Sequence, residues 1–298
     1  MATSLRAKVS NTLTYGRLSP VLFRARVLAH RRTRPSVGAA DVALAGTLQR
    51  DAACITSLDT LGFGRSAALM EDVDALLPTL PDASSHEPIG DPTIGRNTSL
   101  HCFSVDPPEL AARCPNVLLW GLEERLLDLI ESYIGLPVAF TTVHLRKDIG
   151  SANQVGTRIW HIDTEDHRVV RVLVYLNDVD IDGGPFEYIP RQHAGALSGL
   201  EGRALRAAGD PILDIEMRQH VPEPHWQPCI GPRGTVVIAD NAVLYHHGRV
   251  HDRERLAIIY TYTSRKPRYP KLRRNAAFDD QLSARQRECF FVDTGSGQ

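Results

Sequence analysis

Two short stretches carry side chains able to share a metal ion. The first is Trp160-His161-Ile162-Asp163, where a histidine and an aspartate stand two residues apart. On an extended strand such positions share one face, so the imidazole and the carboxylate can reach the same ion. The second is Tyr245-His246-His247-Gly248, which brings further histidine from far along the chain. Two histidines and one carboxylate form a ligand set that holds non-haem Fe(II) and leaves adjacent coordination positions open. In a chain with twelve histidines, an isolated His-x-Asp also has a plain structural reading. His161 and Asp163 would then be polar residues of an edge strand, or Asp163 would cap the turn Thr164-Glu165-Asp166-His167.

An iron site that activates O2 needs an electron-donating co-substrate. A dicarboxylic 2-oxo acid chelates iron through its oxo acid end, and its far carboxylate must then be gripped away from water. Arginine suits this task, because its planar fork stays charged and pairs with both oxygens of a carboxylate. Arg255 opens the apolar run Leu256-Ala257-Ile258-Ile259-Tyr260, just after the distal histidines. A surface ion pair at a strand start is the alternative. Arg253 falls on the same face by alternation but sits in the polar turn His251-Asp252-Arg253-Glu254, where solvation is expected.

The elements that must position these groups divide at Pro137. Before it, apolar spacing predicts helices over 37–50, 66–77 and 116–134, with a short strand over 51–58 and a Pro/Ser/Gly/Asp-rich surface loop over 81–97. The last helix has Leu118, Leu119, Leu122, Leu126, Leu127 and Ile130 at helical spacing and is stopped by Gly135-Leu136-Pro137. After Pro137 the period becomes that of strands, predicted over 138–145, 158–163, 169–176, 186–189, 212–217, 234–239, 242–246 and 256–263. Helices first and many short strands after make the class α+β with a jelly-roll core. The long connection 194–233 is expected to line a substrate mouth. Residues 37–275 form the main domain, and 276–298 a tail with a frayed end.

Residues 1–36 stand apart. The first forty residues contain no Asp or Glu, and Leu18, Val21, Leu22, Ala25 and Leu28 fall on a helical stripe. This predicts a basic arm packed on the domain, with an organelle-targeting presequence as the minor alternative. A second basic run, Arg265 to Arg274, follows the last strand and reads as a solvated face.

Composition narrows the function classes. A net charge of −1 argues against a general nucleic-acid binder. The five cysteines are odd in number and widely spaced, which disfavours a disulfide framework or a thiolate zinc site and fits a cytoplasmic setting. No apolar run is long enough to span a bilayer. A small-molecule substrate is expected, and the oligomeric state stays open.

The run from Arg158 to Arg168, the strand and turn Val-Leu-Val-Tyr-Leu-Asn-Asp-Val-Asp (172–180), and the run from Asp182 through Gly-Gly-Pro to His193 together resemble the phytanoyl-CoA dioxygenase family. That family belongs to the Fe(II)- and 2-oxoglutarate-dependent oxygenases. The distal element, His246-His247-Gly248 followed by Arg255, matches its His-x-Gly and arginine. The resemblance covers about residues 140–265, with four motifs in the family's order. It implies a double-stranded β-helix, the cupin-like jelly roll. His161, Asp163 and His246 would hold Fe(II), Arg255 would bind the far carboxylate of 2-oxoglutarate, and Tyr175 would contact the co-substrate. The implied reaction splits 2-oxoglutarate to succinate and CO2 and oxidises a substrate C–H bond with O2. Strand alternation agrees that only one of His246 and His247 faces the ion.

The chain departs from the family in one turn. Pro190-Arg191-Gln192-His193 replaces the usual Pro-Gly-Ser-His, so His193 is expected to be structural. Asp163 is kept, which disfavours the halogenating variants. A non-catalytic metal-binding jelly roll, or a redox-inert cupin lyase or isomerase on Zn or Mn, are the competing classes. Arg255 argues against the second, which needs no carboxylate clamp.

Overall fold

The computed structural model describes residues 18–80, 102–200, 211–268 and 271–295. The expected loop over 81–97 and part of the 194–233 connection lie outside them. Nine strands are described: β1 (Ala53–Ser57), β2 (Cys102–Val105), β3 (Val138–Asp148), β4 (Val170–Tyr175), β5 (Phe186–Tyr188), β6 (Gln227–Cys229), β7 (Thr235–Asp240), β8 (His246–Gly248) and β9 (Arg255–Ser264). They form a six-stranded sheet in the order β1-β7-β4-β9-β3-β2 and a three-stranded sheet in the order β6-β5-β8, antiparallel throughout. An isolated bridge from His161 to His246 adds the His-x-Asp segment to the free edge of β8. From β3 onward the chain therefore passes back and forth between the two sheets.

Register shows why the large sheet has two unlike faces. Arg171, Leu173 and Tyr175 of β4 stand opposite Thr261, Ile259 and Ala257 of β9. His144, Arg146 and Asp148 of β3 stand opposite Ile259, Ala257 and Arg255. Paired residues share a face, and this face meets the small sheet. The other face carries Val170, Val172, Val174, Ile258, Tyr260 and Tyr262 and packs on the helices, which bury it completely. Trp120 lies 5.1 Å from the Tyr260 ring. A bulge between Phe140 and Thr142 lets β3 keep apolar residues outward at its start and polar ones inward at its end.

Several expectations are corrected. The helix predicted over 116–134 is two, Pro115–Trp120 and Glu124–Ile134. The chain leaves the helical path at Glu123, whose ψ is 127°, while Gly121 stays helical and lets the segment sit close to the sheet. A Cβ at Gly121 would come within 2.9 Å of Phe140 and Tyr260, and its carbonyl accepts the Tyr262 hydroxyl at 2.7 Å. The strand predicted over 212–217 is a single bridge at Ile212 followed by the helix Asp214–His220. The strand predicted over 242–246 is a turn. The Asp240 carboxylate accepts the Ala242 N–H at 3.1 Å and the chain extends only from His246. The residues set apart as a tail carry the helix Ala284–Cys289, closed by a Ser283/Gln286 capping box, and Leu282, Cys289, Phe290 and Val292 are buried in the core. The stripe on residues 18–28 does form a helix, Ser19–His30, but it faces outward.

Candidate metal centre

The segment around His161 is not the strand its sequence predicts. Gly156–Arg158 is a 3-10 turn, and only Trp160 and His161 make bridges, to Ile212 and His246. Arg158 explains the interruption. Its side chain turns inward and is almost fully buried. It donates to the carbonyls of Ser151 (3.1 Å) and Ile149 and to the His251 ring (3.0 Å). Trp160 then fixes the segment from its other side, donating from its indole N–H to Asp214 at 2.8 Å.

His161, Asp163 and His246 nonetheless converge: one ligand atom from each lies within 4.8 Å of the others. The hydrogen bonds prepare each group for a cation. His161 Nδ1 lies 2.7 Å from the Ile159 carbonyl and His246 Nδ1 lies 2.9 Å from the Leu244 carbonyl. A carbonyl can only accept, so both Nδ1 atoms carry a proton and Nε2 is the atom each ring turns toward the shared point; the Asn241 amide donates to that of His246, which therefore accepts. Burial holds His246 well below the usual histidine range, to about 3, reinforced by His161 and opposed by Asp163. Burial pushes the Asp163 carboxyl up, but the Arg171 guanidinium and the two histidines outweigh it and hold it well below the ordinary carboxylate range. His246 held below the histidine range and Asp163 held below the carboxylate range suit a divalent metal, which takes a histidine through its neutral ring and a carboxylate as its anion.

Groups behind the triad orient it. Arg171 donates from Nε to Asp163 at 2.8 Å, from a terminal nitrogen to Glu165 at 2.9 Å, and also to Thr261. One Asp163 oxygen is thereby engaged, while the other lies 3.9 Å from His161 Nε2. Asn241 donates its side-chain N–H to His246 Nε2 at 2.8 Å, while its own buried Oδ1 has no partner among the described residues. A cation at Nε2 would take the place of that amide donor, and turning the amide would direct the orphaned oxygen toward the site. The donor set fits an ion on these grounds. Arg171 has a sequence signal, being the one charged residue inside the apolar strand 169–176. Asn241 has none.

His247 faces the other way. Its Nδ1 meets the Arg158 carbonyl at 3.0 Å, its Nε2 meets the Glu187 carboxylate at 2.9 Å, and its ring stacks on Trp160 at 3.7 Å. Neither nitrogen is left for a metal. Glu187 is shared with Arg249 at 2.9 Å.

Arg255 is buried on the inner face. Asp148 accepts from its Nε at 3.1 Å and from one terminal nitrogen at 2.6 Å, and the Gly184 carbonyl accepts from the other at 2.5 Å. Gly184 adopts a left-handed φ of 70° against the His251 ring, where no side chain has room. A guanidinium has five N–H groups, and these bonds use three. The two that remain, one on each terminal nitrogen, define the edge nearest Gly248, whose missing Cβ would sit 3.3 Å and 3.7 Å from those nitrogens. Tyr175 is fully buried, donating to the Cys229 carbonyl at 2.8 Å and accepting the Phe186 N–H at 3.1 Å. Arg253 is exposed and paired with Asp180. His193 is partly exposed, 4.9 Å from the His225 ring.

No protein-family model and no curated protein match the chain. Solved structures do. HygX from Streptomyces hygroscopicus, with nickel and 2-oxoglutarate bound, superposes with a TM-score of 0.50 at 15% identity, over 87% of this chain and 97% of that one. EctD from S. alaskensis, with 2-oxoglutarate and 5-hydroxyectoine, gives 0.46 at 17% identity over 75% and 76%. The non-heme alpha ketoglutarate dependent epimerase SnoN from nogalamycin biosynthesis gives 0.47 at 14% identity over 77% and 82%. The likeness to HygX is one of fold.

Proposed function

We propose that this protein is an Fe(II)- and 2-oxoglutarate-dependent oxygenase built on a double-stranded β-helix, of the phytanoyl-CoA dioxygenase kind, acting on a small molecule. The observation that carries the reading is the convergence of His161, Asp163 and His246 within 4.8 Å, reached from two distant segments. The back-and-forth path between two antiparallel sheets supports the jelly-roll assignment, and HygX, which shares the fold, is a protein with nickel and 2-oxoglutarate bound.

Bound iron would supply O2 activation coupled to decarboxylation of the 2-oxo acid. The chain's own residues do the rest. His161, Asp163 and His246 hold the metal, and Arg171 fixes the Asp163 carboxylate so that one oxygen points inward. Arg255 grips the far carboxylate of 2-oxoglutarate through its unused edge, while Asp148 and the Gly184 carbonyl hold the fork in place. Gly248, two residues past His246, leaves that edge uncovered. Tyr175 supports the turn before β5 through the Phe186 N–H. The described part of the connection over 194–233 would line the substrate mouth, since its Ile212, Met217, Val221 and Trp226 pack with Trp160, next to His161. The domain takes in residues 37–275, with the helix Ala284–Cys289 closing its outer side.

Anaerobic titration with Fe(II), then 2-oxoglutarate, tests this directly. Iron-dependent 2-oxoglutarate binding and succinate release under O2 are expected. Native protein that carries zinc, binds no 2-oxoglutarate and never releases succinate would instead be a redox-inert cupin.

A further inference from the structure

One helix wears its apolar side outward. Ser19–His30 is tied to the domain by its more polar face. Ser19 bonds the His167 ring at 2.7 Å, Arg26 donates to the Lys266 carbonyl at 3.4 Å, and His30 meets Glu131 at 3.0 Å. Phe23 lies 4.8 Å from the His167 ring and Val27 packs on Gly135. With those contacts made, Leu18, Val21, Leu22 and Leu28 are left 55, 60, 42 and 68% exposed. Ala25 and Ala29 are exposed with them. Positions 18, 21, 22, 25, 28 and 29 recur at helical spacing, so the six form one continuous stripe.

Charge around the stripe has one sign. Arg24, Arg31 and Arg32 are exposed and make no ion pair among the described residues. The Arg26 bond brings exposed Lys266, from the basic run after β9, to the same side. The first acidic residue of the chain is Asp41, and it is buried against Arg125 at 2.9 Å. The Glu131 carboxylate is buried beneath the helix.

We propose that this face docks on an anionic lipid bilayer surface. A helix with a leucine-rich side and flanking arginines, lying flat on a rigid body, gains both from burying the stripe at the acyl boundary and from the negative headgroups. A second copy of the chain fits poorly, since a contact through this stripe would enclose the arginines of both copies while the first forty residues of neither supply a carboxylate. The domain stays folded on docking, because the inner contacts of the helix are untouched. This surface is separate from the metal centre and does not depend on the function proposed for it.

The test is co-sedimentation of the full-length protein with vesicles of phosphatidylcholine alone or mixed with phosphatidylserine. Binding is expected to the mixed vesicles only, and to be lost at high salt. The double substitutions Leu22→Glu/Leu28→Glu and Arg31→Glu/Arg32→Glu should each lower partitioning by ~10-fold or more, with the circular dichroism spectrum kept. The milder Leu28→Gln should fall in the same direction if the glutamates prove disruptive. No phosphatidylserine-dependent binding, or binding indifferent to these substitutions, overturns the proposal. A dimer in gel filtration that Leu28→Gln dissociates would make the occupant a second copy, and equally overturn it.

Discussion

The inner face of the large sheet has two charged centres, and they are built on opposite plans. At the Asp163 end, Arg171 engages one carboxylate oxygen and both histidines spend Nδ1 on a backbone carbonyl, which turns each Nε2 inward. The protein gathers ligand atoms around one point. At the Arg255 end a cation is already paired with Asp148, itself shared with Arg146 at 2.6 Å. There the protein has nearly satisfied the group and left one edge over. The difference follows from what each end would bind. A metal replaces protons and needs bare donors, whereas a buried guanidinium without a counter-charge would cost several kcal/mol (~3–5) before any ligand arrived. Pairing it internally keeps the fork rigid and aimed.

Removing a donor from the first centre should have the largest effect. His161→Ala, Asp163→Ala and His246→Ala are each expected to reduce iron affinity and succinate release by more than ~100-fold with an unchanged circular dichroism spectrum, since loss of a ligand exceeds loss of an outer partner. An alanine variant that still loads iron would remove that residue from the set. Arg171→Met comes next. It leaves the ligands in place but frees Asp163 to turn, and iron affinity measured by competitive chelation should drop ~10–100-fold. Unchanged affinity would reduce Arg171 to a core ion pair.

Much of the first centre was legible in the sequence, and little of the second. That His161, Asp163 and His246 would lie together was legible because ligand chemistry needs particular residue types and the His-x-Gly pattern chooses between neighbours. A strand is not what brings them together, since 158–163 is a turn and two bridges held by Arg158 and Trp160. The strands of the large sheet after Pro137 were readable as β-branched, apolar runs, because β4 and β7 are buried along nearly their whole length. The split of the helix at Glu123 and the turn at Asp240 were not, because both lie where the chain meets distant partners, Tyr260 and Tyr262 beside Gly121 for the first and the β4–β7 junction for the second. Asp148 escaped for the same reason. Nothing local to residue 148 announces that Arg255 will stand opposite it.

At the second centre, Arg255→Met should raise the concentration of 2-oxoglutarate needed for half-maximal succinate release by ~10-fold or more while iron binding persists, as expected for loss of a charge-assisted pair. Arg255→Lys keeps the charge without the fork and should fall between. If the Met variant binds 2-oxoglutarate normally, the clamp lies elsewhere. The adjacent histidines offer a control on the first centre. His247→Gln removes a ring bonded to Glu187 and the Arg158 carbonyl, so stability to urea should fall by about 2–3 kcal/mol, with iron affinity unchanged. Loss of iron by this variant but not by His246→Ala would shift the reading of β8 by one residue.

The smallest change is the one that separates two readings of the internal pair. Asp148→Asn keeps the shape of the side chain and removes its charge. If Asp148 holds the fork in position, its loss lets Arg255 swing, and the preorganisation that favours binding declines. If instead Asp148 occupies the place of the incoming carboxylate, its loss removes a competitor and affinity rises. Counting N–H groups favours the first, since Asp148 uses the Nε edge and leaves the edge beside Gly248 uncovered. Arg146 also holds Asp148 through a second oxygen, which fixes the carboxylate where it is. We therefore expect 2-oxoglutarate affinity of Asp148→Asn, measured anaerobically with Fe(II) present, to weaken only ~2–5-fold, within the range of one modest hydrogen-bonding change, with maximal succinate release retained. Tighter binding would mean that the two centres are not built on opposite plans after all, and that Asp148 must leave before the co-substrate can enter.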